Sequence, residues 1–145
     1  MMIRYTSLAA LASTYAVMVL GSYVSSSGLG LSCTDWPLCR GNVLPTEEIF
    51  IEWIHRFFGL LAASFAVTTL ILALRTKDNR IKLTASLAVA FVFTQVTLGV
   101  IVIDSRLHPV LVAVHLAVGV LLFTSVLLTV LRAHALSKKE ISKSL

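Results

Sequence analysis

Four stretches of the chain carry almost no charged or strongly polar side chain: residues 5–24, 49–74, 83–103 and 110–131. A helix of about 20 residues crosses a hydrocarbon core of about 30 Å, so each stretch is long enough to span a membrane. Helices of a soluble bundle keep a polar face, and these show almost none. The pattern predicts an all-α membrane protein, a bundle of four transmembrane helices. The first stretch follows Arg4 and precedes serines, as a signal peptide would. Its apolar run exceeds the usual length of about 7–15 residues and it lacks an A-x-A-like site, so it reads as the first span.

Charge sets the expected orientation. Of 12 Lys and Arg residues, nine fall on one side of the four-span arrangement: Arg4, then Arg75, Lys77, Arg80 and Lys82, then Arg132, Lys138, Lys139 and Lys143. Arg40, Arg56 and Arg106 lie on the other side, among five of the seven acids. The cytoplasmic side carries the excess of basic residues, which predicts both termini there. The net charge of +5 is then an orientation signal and an affinity for anionic lipid, and it gives no case for nucleic-acid binding. Residues 1–132 form the expected membrane domain. Residues 133–145 form a basic cytoplasmic tail, of which the part up to Ile141 could extend the fourth helix. The first outer loop, residues 25–48, is long and rich in Gly, Ser and Pro, whereas residues 104–109 are barely a turn.

The two halves of the chain echo each other. LGSYV near the end of span one is answered by LGVIV in span three, and HRFFG in span two by HLAVG in span four. Two hairpins of the same topology imply a pseudo-twofold axis along the membrane normal. His55 and His115 each lie six residues into a helix entering from the outer side, or roughly 9 Å deep. Gly59 and Gly119 follow four residues later, on the same helical face as each histidine. Ionisable groups inside a span are function candidates, because insertion costs them roughly 2.5–3.5 kcal/mol at the helix centre. A lone histidine of this kind more often bonds across helices, with glycine permitting close packing. The matched depth and paired glycines favour bis-imidazole haem ligation, with a flat recess beside each ring for the macrocycle.

Glu52 precedes His55 by one turn and shares its face. Glu-x-x-His is also half of a di-iron carboxylate site, but His115 has no matching carboxylate, which disfavours that centre. Arg56 is a candidate partner for a haem propionate, as are Arg40 and Arg106, or else it snorkels to the headgroups. His108 in the short turn and His134 in the tail read as interfacial and solvated residues. Cys33 and Cys39 bracket TDWPL in the outer loop, on the side where disulfides persist. They could form a structural staple, or a redox-active or substrate-contacting thiol pair; the spacing is not that of a zinc site.

Taken together, these stretches resemble the haem A synthase family. The resemblance lies in GSYVSSSGLGLSCTDWPLCRG (residues 21–41), EWIHRFFG, TQVTLG and HPVLVAVHLAVG, and it extends to about residue 131. Family members usually have about twice as many spans, and this chain resembles the amino-terminal, catalytic half. Leu29 stands where the family usually has serine, and Thr34 where proline is usual. The resemblance implies oxidation of the C8 methyl of haem O to the formyl group of haem A for terminal oxidases. It assigns His55 and His115 as axial ligands, Glu52 as an essential carboxylate and Cys33–Cys39 as the outer cysteine pair. With both axial positions filled, electrons would leave the substrate haem, Glu52 would accept a proton and water would supply the oxygen. The family's other half binds a b-type electron-transfer haem. A homo-oligomer, at least a dimer, would supply that role here. Haem O synthase and terminal oxidase subunits are the further partners implied. The rival readings are a non-catalytic b-type cytochrome using the same histidines and a haem-free assembly subunit.

Overall fold

The computed structural model describes residues 2–36, 39, 46 and 49–144, with side chains described as far as Lys138. Four helices make up the fold: α1 (Met2–Ser26), α2 (Phe50–Leu74), α3 (Asn79–Asp104) and α4 (Pro109–Ser144). All four are long and apolar enough to cross a membrane. A lipid environment offers no partner to backbone N–H and C=O groups, so a span must satisfy them within itself, and a helix does. The first, third and fourth helices reach beyond the apolar runs that predict them, and the second matches its run to within one residue. The fourth runs through Arg132 without a break, and Ala133 is fully buried against Ala73, Ile81 and Ala85. Arg4 donates to Ser137 Oγ at 3.2 Å, which ties the start of α1 to this extension.

Local signals set the turns. Asp78 caps α3, its Oδ1 accepting from the N–H groups of Arg80 at 2.8 Å and Ile81 at 3.3 Å. Pro109 occupies the first position of α4, where its missing N–H leaves no bond unmade. Between them α3 ends in a Schellman turn: Leu107 N–H donates to Val102 O at 2.9 Å and Arg106 N–H to Ile103 O at 3.0 Å. Arg106 and Leu107 take left-handed φ values of 53° and 63°. That turn drives Leu107 onto Gly30 in the 3-10 turn Leu29–Leu31, where an added Cβ would lie 3.0 Å from Leu107 Cδ1. The two outer connections are thereby latched together.

Packing is densest within α1–α2 and within α3–α4, and sparser between these pairs, so the bundle is two hairpins. Many of the residues buried between helices are small or carry hydroxyls: Ser7, Ala10 and Thr14; Ala62, Ala66 and Thr69; Thr84, Ala85 and Ala88; Ser125 and Thr129, with Ile81, Val92, Leu122 and Val126 among the larger ones. Close backbone approach of this kind drives helix association where lipid removes the hydrophobic incentive. The bulky side chains point outward instead, among them Tyr15, Leu60, Phe93, Leu116 and Val120. Most buried hydroxyls return a bond to a carbonyl on their own helix, as Thr14 does to Ala10 at 2.7 Å and Thr129 to Ser125 at 2.8 Å.

Candidate functional site

The internal repeat has a packing explanation. In the first hairpin His55 lies against Gly21, where an added Cβ would sit 2.8 Å from the imidazole Cε1. In the second, His115 lies against Gly99, with the corresponding distance 3.7 Å. Each histidine thus occupies a recess made by the glycine of the Leu-Gly-x-x-Val motif on the preceding helix. Val24 and Val102, which complete the two motifs, are both buried. The glycines one turn below the histidines are placed reciprocally. Gly59 meets the side chain of Val17 at 3.9 Å, and Gly119 meets the amide of Gln95, whose Nε2 would be 2.6 Å from an added Cβ. The recesses at Gly59 and Gly119, read from sequence as space beside the imidazole, therefore receive side chains of α1 and α3. Antiparallel helices put residues four apart into register on both partners, which produces this cross-locking.

His55 and His115 are half-buried and within electrostatic reach of each other. His55 Nδ1 lies 3.0 Å from the carbonyl oxygen of Val17. An oxygen acceptor there puts the proton on Nδ1 and leaves the Nε2 lone pair unprotonated. A metal-bound imidazole has this tautomer, its other nitrogen donating to a carbonyl or carboxylate. His115 Nδ1 is buried with no hydrogen-bond partner among the described residues. Each hairpin thus presents one imidazole with unspent bonding capacity, the donor type that haem iron takes.

Above His55 the carboxylate of Glu52 is 3% exposed and forms three polar contacts. Its Oε2 accepts from Cys33 N–H at 2.9 Å and from Ser32 Oγ at 3.0 Å. Its Oε1 pairs with Arg56 Nη2 at 2.7 Å. The Arg56 guanidinium also donates to the carbonyls of Cys33, at 2.6 Å, and Asp35. Glu and Arg one helical turn apart thus clamp the outer loop onto α2. Arg56 is thus bonded to the main chain of the loop. Cys33 and Cys39 are joined in a disulfide with Cα atoms 5.2 Å apart, buried with Ile49. Of the other sequence candidates, Arg106 is exposed in the short turn, His108 is exposed beside it, and Arg40 lies outside the described residues. His134 Nδ1 lies 3.0 Å from Val130 O on its own helix.

Sequence reasoning missed Gly21, Gly99 and Gln95 as neighbours of the histidines, and Ser32 as a partner of Glu52. The Leu-Gly-x-x-Val repeat held the signal for the glycines, and an amide inside an apolar span held it for Gln95. Nothing local marks Ser32, which is 20 residues from Glu52.

Fold and site define a multi-pass membrane bundle carrying one imidazole from each of two related hairpins. A family model described as cytochrome oxidase assembly protein matches residues 46–145, and the chain belongs to that family. Curated relatives include a heme A synthase of Bacillus licheniformis, 34% identical over 135 residues. That match covers 88% of this chain and 44% of the relative. A heme A synthase of Exiguobacterium sibiricum is 30% identical over 136 residues, covering 88% of this chain and 45% of the relative. A protein of Halobacterium salinarum named protoheme IX farnesyltransferase is 32% identical over 120 residues, covering 81% of this chain and 26% of that protein. The chain spans less than half the length of these relatives.

Proposed function

We propose that this four-helix unit carries out haem A synthesis, oxidising the C8 methyl of haem O to a formyl group for terminal oxidase assembly. The observation that carries the reading is the pair of histidines, one per hairpin and each seated on a glycine of the preceding helix. It occurs in a chain that matches heme A synthases along most of its length. His55 and His115 would hold the iron of the substrate haem through their Nε2 atoms. Converting methyl to formyl with water as oxygen donor breaks two C–H bonds and forms C=O, releasing four electrons and four protons.

Glu52 is our candidate for taking those protons. Its three partners fix its position, and one of them can change direction. A serine hydroxyl donates or accepts, so Ser32 can turn to accept from a protonated Glu52 while Cys33 N–H stays bound. Cys33–Cys39 closes the loop that carries Ser32 and Cys33 N–H to the carboxylate; we propose a structural role for the pair rather than thiol cycling. The electrons require a second haem, of b type. We propose that this haem is held by the same histidine pair of a second copy of this chain and relays the electrons to an external acceptor.

We propose that the cysteine loop and the histidines face the extracytoplasmic side, a reading supported by the distribution of basic residues. A farnesyl-transferring protein that contains a stretch similar to this chain supports haem O synthase as a neighbour, with a terminal oxidase as recipient. One observation favours a second reading, a non-catalytic b-type cytochrome: Glu52 is engaged by the loop and could serve only to hold it. Extracting and identifying the pigment of the purified protein decides between them. Haem O with haem A supports synthesis, haem B alone supports the cytochrome, and no haem refutes both.

A further inference from the structure

The two histidines are related by the repeat but are not held alike. His55 is wedged, with its Cε1, Nδ1 and Nε2 at 2.8, 3.3 and 3.7 Å from the Cβ position of Gly21, and its Nδ1 lies 3.0 Å from a main-chain carbonyl. His115 touches the Cβ position of Gly99 only through Cε1, at 3.7 Å. Its Nδ1 is buried without a partner among the described residues. Gln95 occupies, on α3, the place that Val17 occupies on α1, four residues before the recess glycine. Its Nε2 donates to the main-chain oxygen of His115 at 2.9 Å, which fixes the amide orientation and leaves Oε1 as the remaining acceptor. Gln95 Oε1 is also buried and unpartnered among the described residues. Two buried polar atoms left without partners, one on His115 and one on the residue bonded to its main chain, are costly unless a water serves both.

We infer that His115 is the exchangeable axial ligand of the haem iron and that Gln95 is its positioning residue, Oε1 accepting from Nδ1–H through one bridging water. His55 is then the fixed ligand. A bridging water can exchange, whereas the Val17 carbonyl belongs to a helix backbone and cannot move away. Freeing the iron on the His115 side costs one mobile hydrogen bond; freeing it on the His55 side requires pulling a wedged ring out of its recess. The inference rests on the haem reading proposed above and goes beyond it by assigning unequal roles to the two ligands.

The test uses purified protein loaded with haem O and carbon monoxide as the probe of the reduced iron. Gln95→Met, similar in shape but unable to accept, is expected to bind carbon monoxide roughly tenfold faster and to lose low-spin ferric signal, as outer-shell changes at metal ligands do. Gln95→Glu loses the same donor to His115 O as Gln95→Met but restores an acceptor, now charged, and is therefore expected to bind carbon monoxide more slowly than Gln95→Met. In a His115→Ala background the Gln95→Met effect should vanish. Unchanged carbon monoxide kinetics in both Gln95 variants, or an effect that persists without His115, overturns the inference and leaves bis-histidine ligation standing. A wild-type spectrum without low-spin bis-imidazole character overturns both.

Discussion

Adding one methyl group at Gly21 or at Gly99 separates the two halves of the site. An alanine Cβ at Gly21 would stand 2.8 Å from His55 Cε1, against an ordinary carbon–carbon separation of about 3.5–4.0 Å. The ring would have to retreat by roughly 0.7–1 Å. It is not free to do so, because Nδ1 is held at 3.0 Å by Val17 O, and that bond is lost by about 3.6 Å. Overpacking of this kind costs about 1–3 kcal/mol, which, taken from haem binding, is a loss of roughly fivefold to 150-fold in affinity. At Gly99 the same methyl meets His115 Cε1 at 3.7 Å, an ordinary contact. Both changes gain similar helix propensity, about 1 kcal/mol, so that effect cancels in the comparison. Titrating haemin into each purified apo-protein while following the Soret band gives the affinities. Gly21→Ala should weaken binding and Gly99→Ala should not; equal losses, or none at Gly21, would refute the wedge.

Glu52→Gln keeps the shape but removes the charge paired with Arg56, which keeps its bonds to the loop carbonyls, and losing that charged hydrogen bond costs about 1.5–3 kcal/mol. Faster proteolysis of the outer loop, with haem A formation lost, is the expected outcome; full haem A production would end the proton-acceptor role. Replacing Cys33 and Cys39 together by serine opens a ring whose ends are six residues apart, and should lower stability by about 2 kcal/mol without abolishing haem binding. Thermal melting and pigment retention in detergent measure that, and loss of haem A with stability unchanged would point to thiol chemistry instead. Asp78→Ala removes the α3 cap and should cost about 1 kcal/mol in a thermal melt, leaving the haem spectrum unchanged.

The bundle was legible because lipid leaves so few options: an apolar run of about 20 residues forms a helix or does not cross. Helix ends were less legible. Nothing in the polar residues after Arg132 shows that Ala133 is buried, because that depends on Ala73, Ile81 and Ala85 arriving from two other helices. In the site, the periodicity of a single helix placed His55 and Gly59 on one face but could not say what faced them. The partner helix decides that, and it set Val17 and Gln95 opposite Gly59 and Gly119. Arg56 shows the same limit. Its sequence position suits a headgroup or a propionate, while its geometry shows it bonded to loop carbonyls 21 and 23 residues away.

Electron paramagnetic resonance of the ferric haem in the purified protein most directly tests whether His55 and His115 share one iron. The account predicts a low-spin bis-imidazole signal in the wild type, converted to a high-spin or altered-ligand signal by His55→Ala and by His115→Ala separately. A signal that survives either substitution unchanged would contradict it.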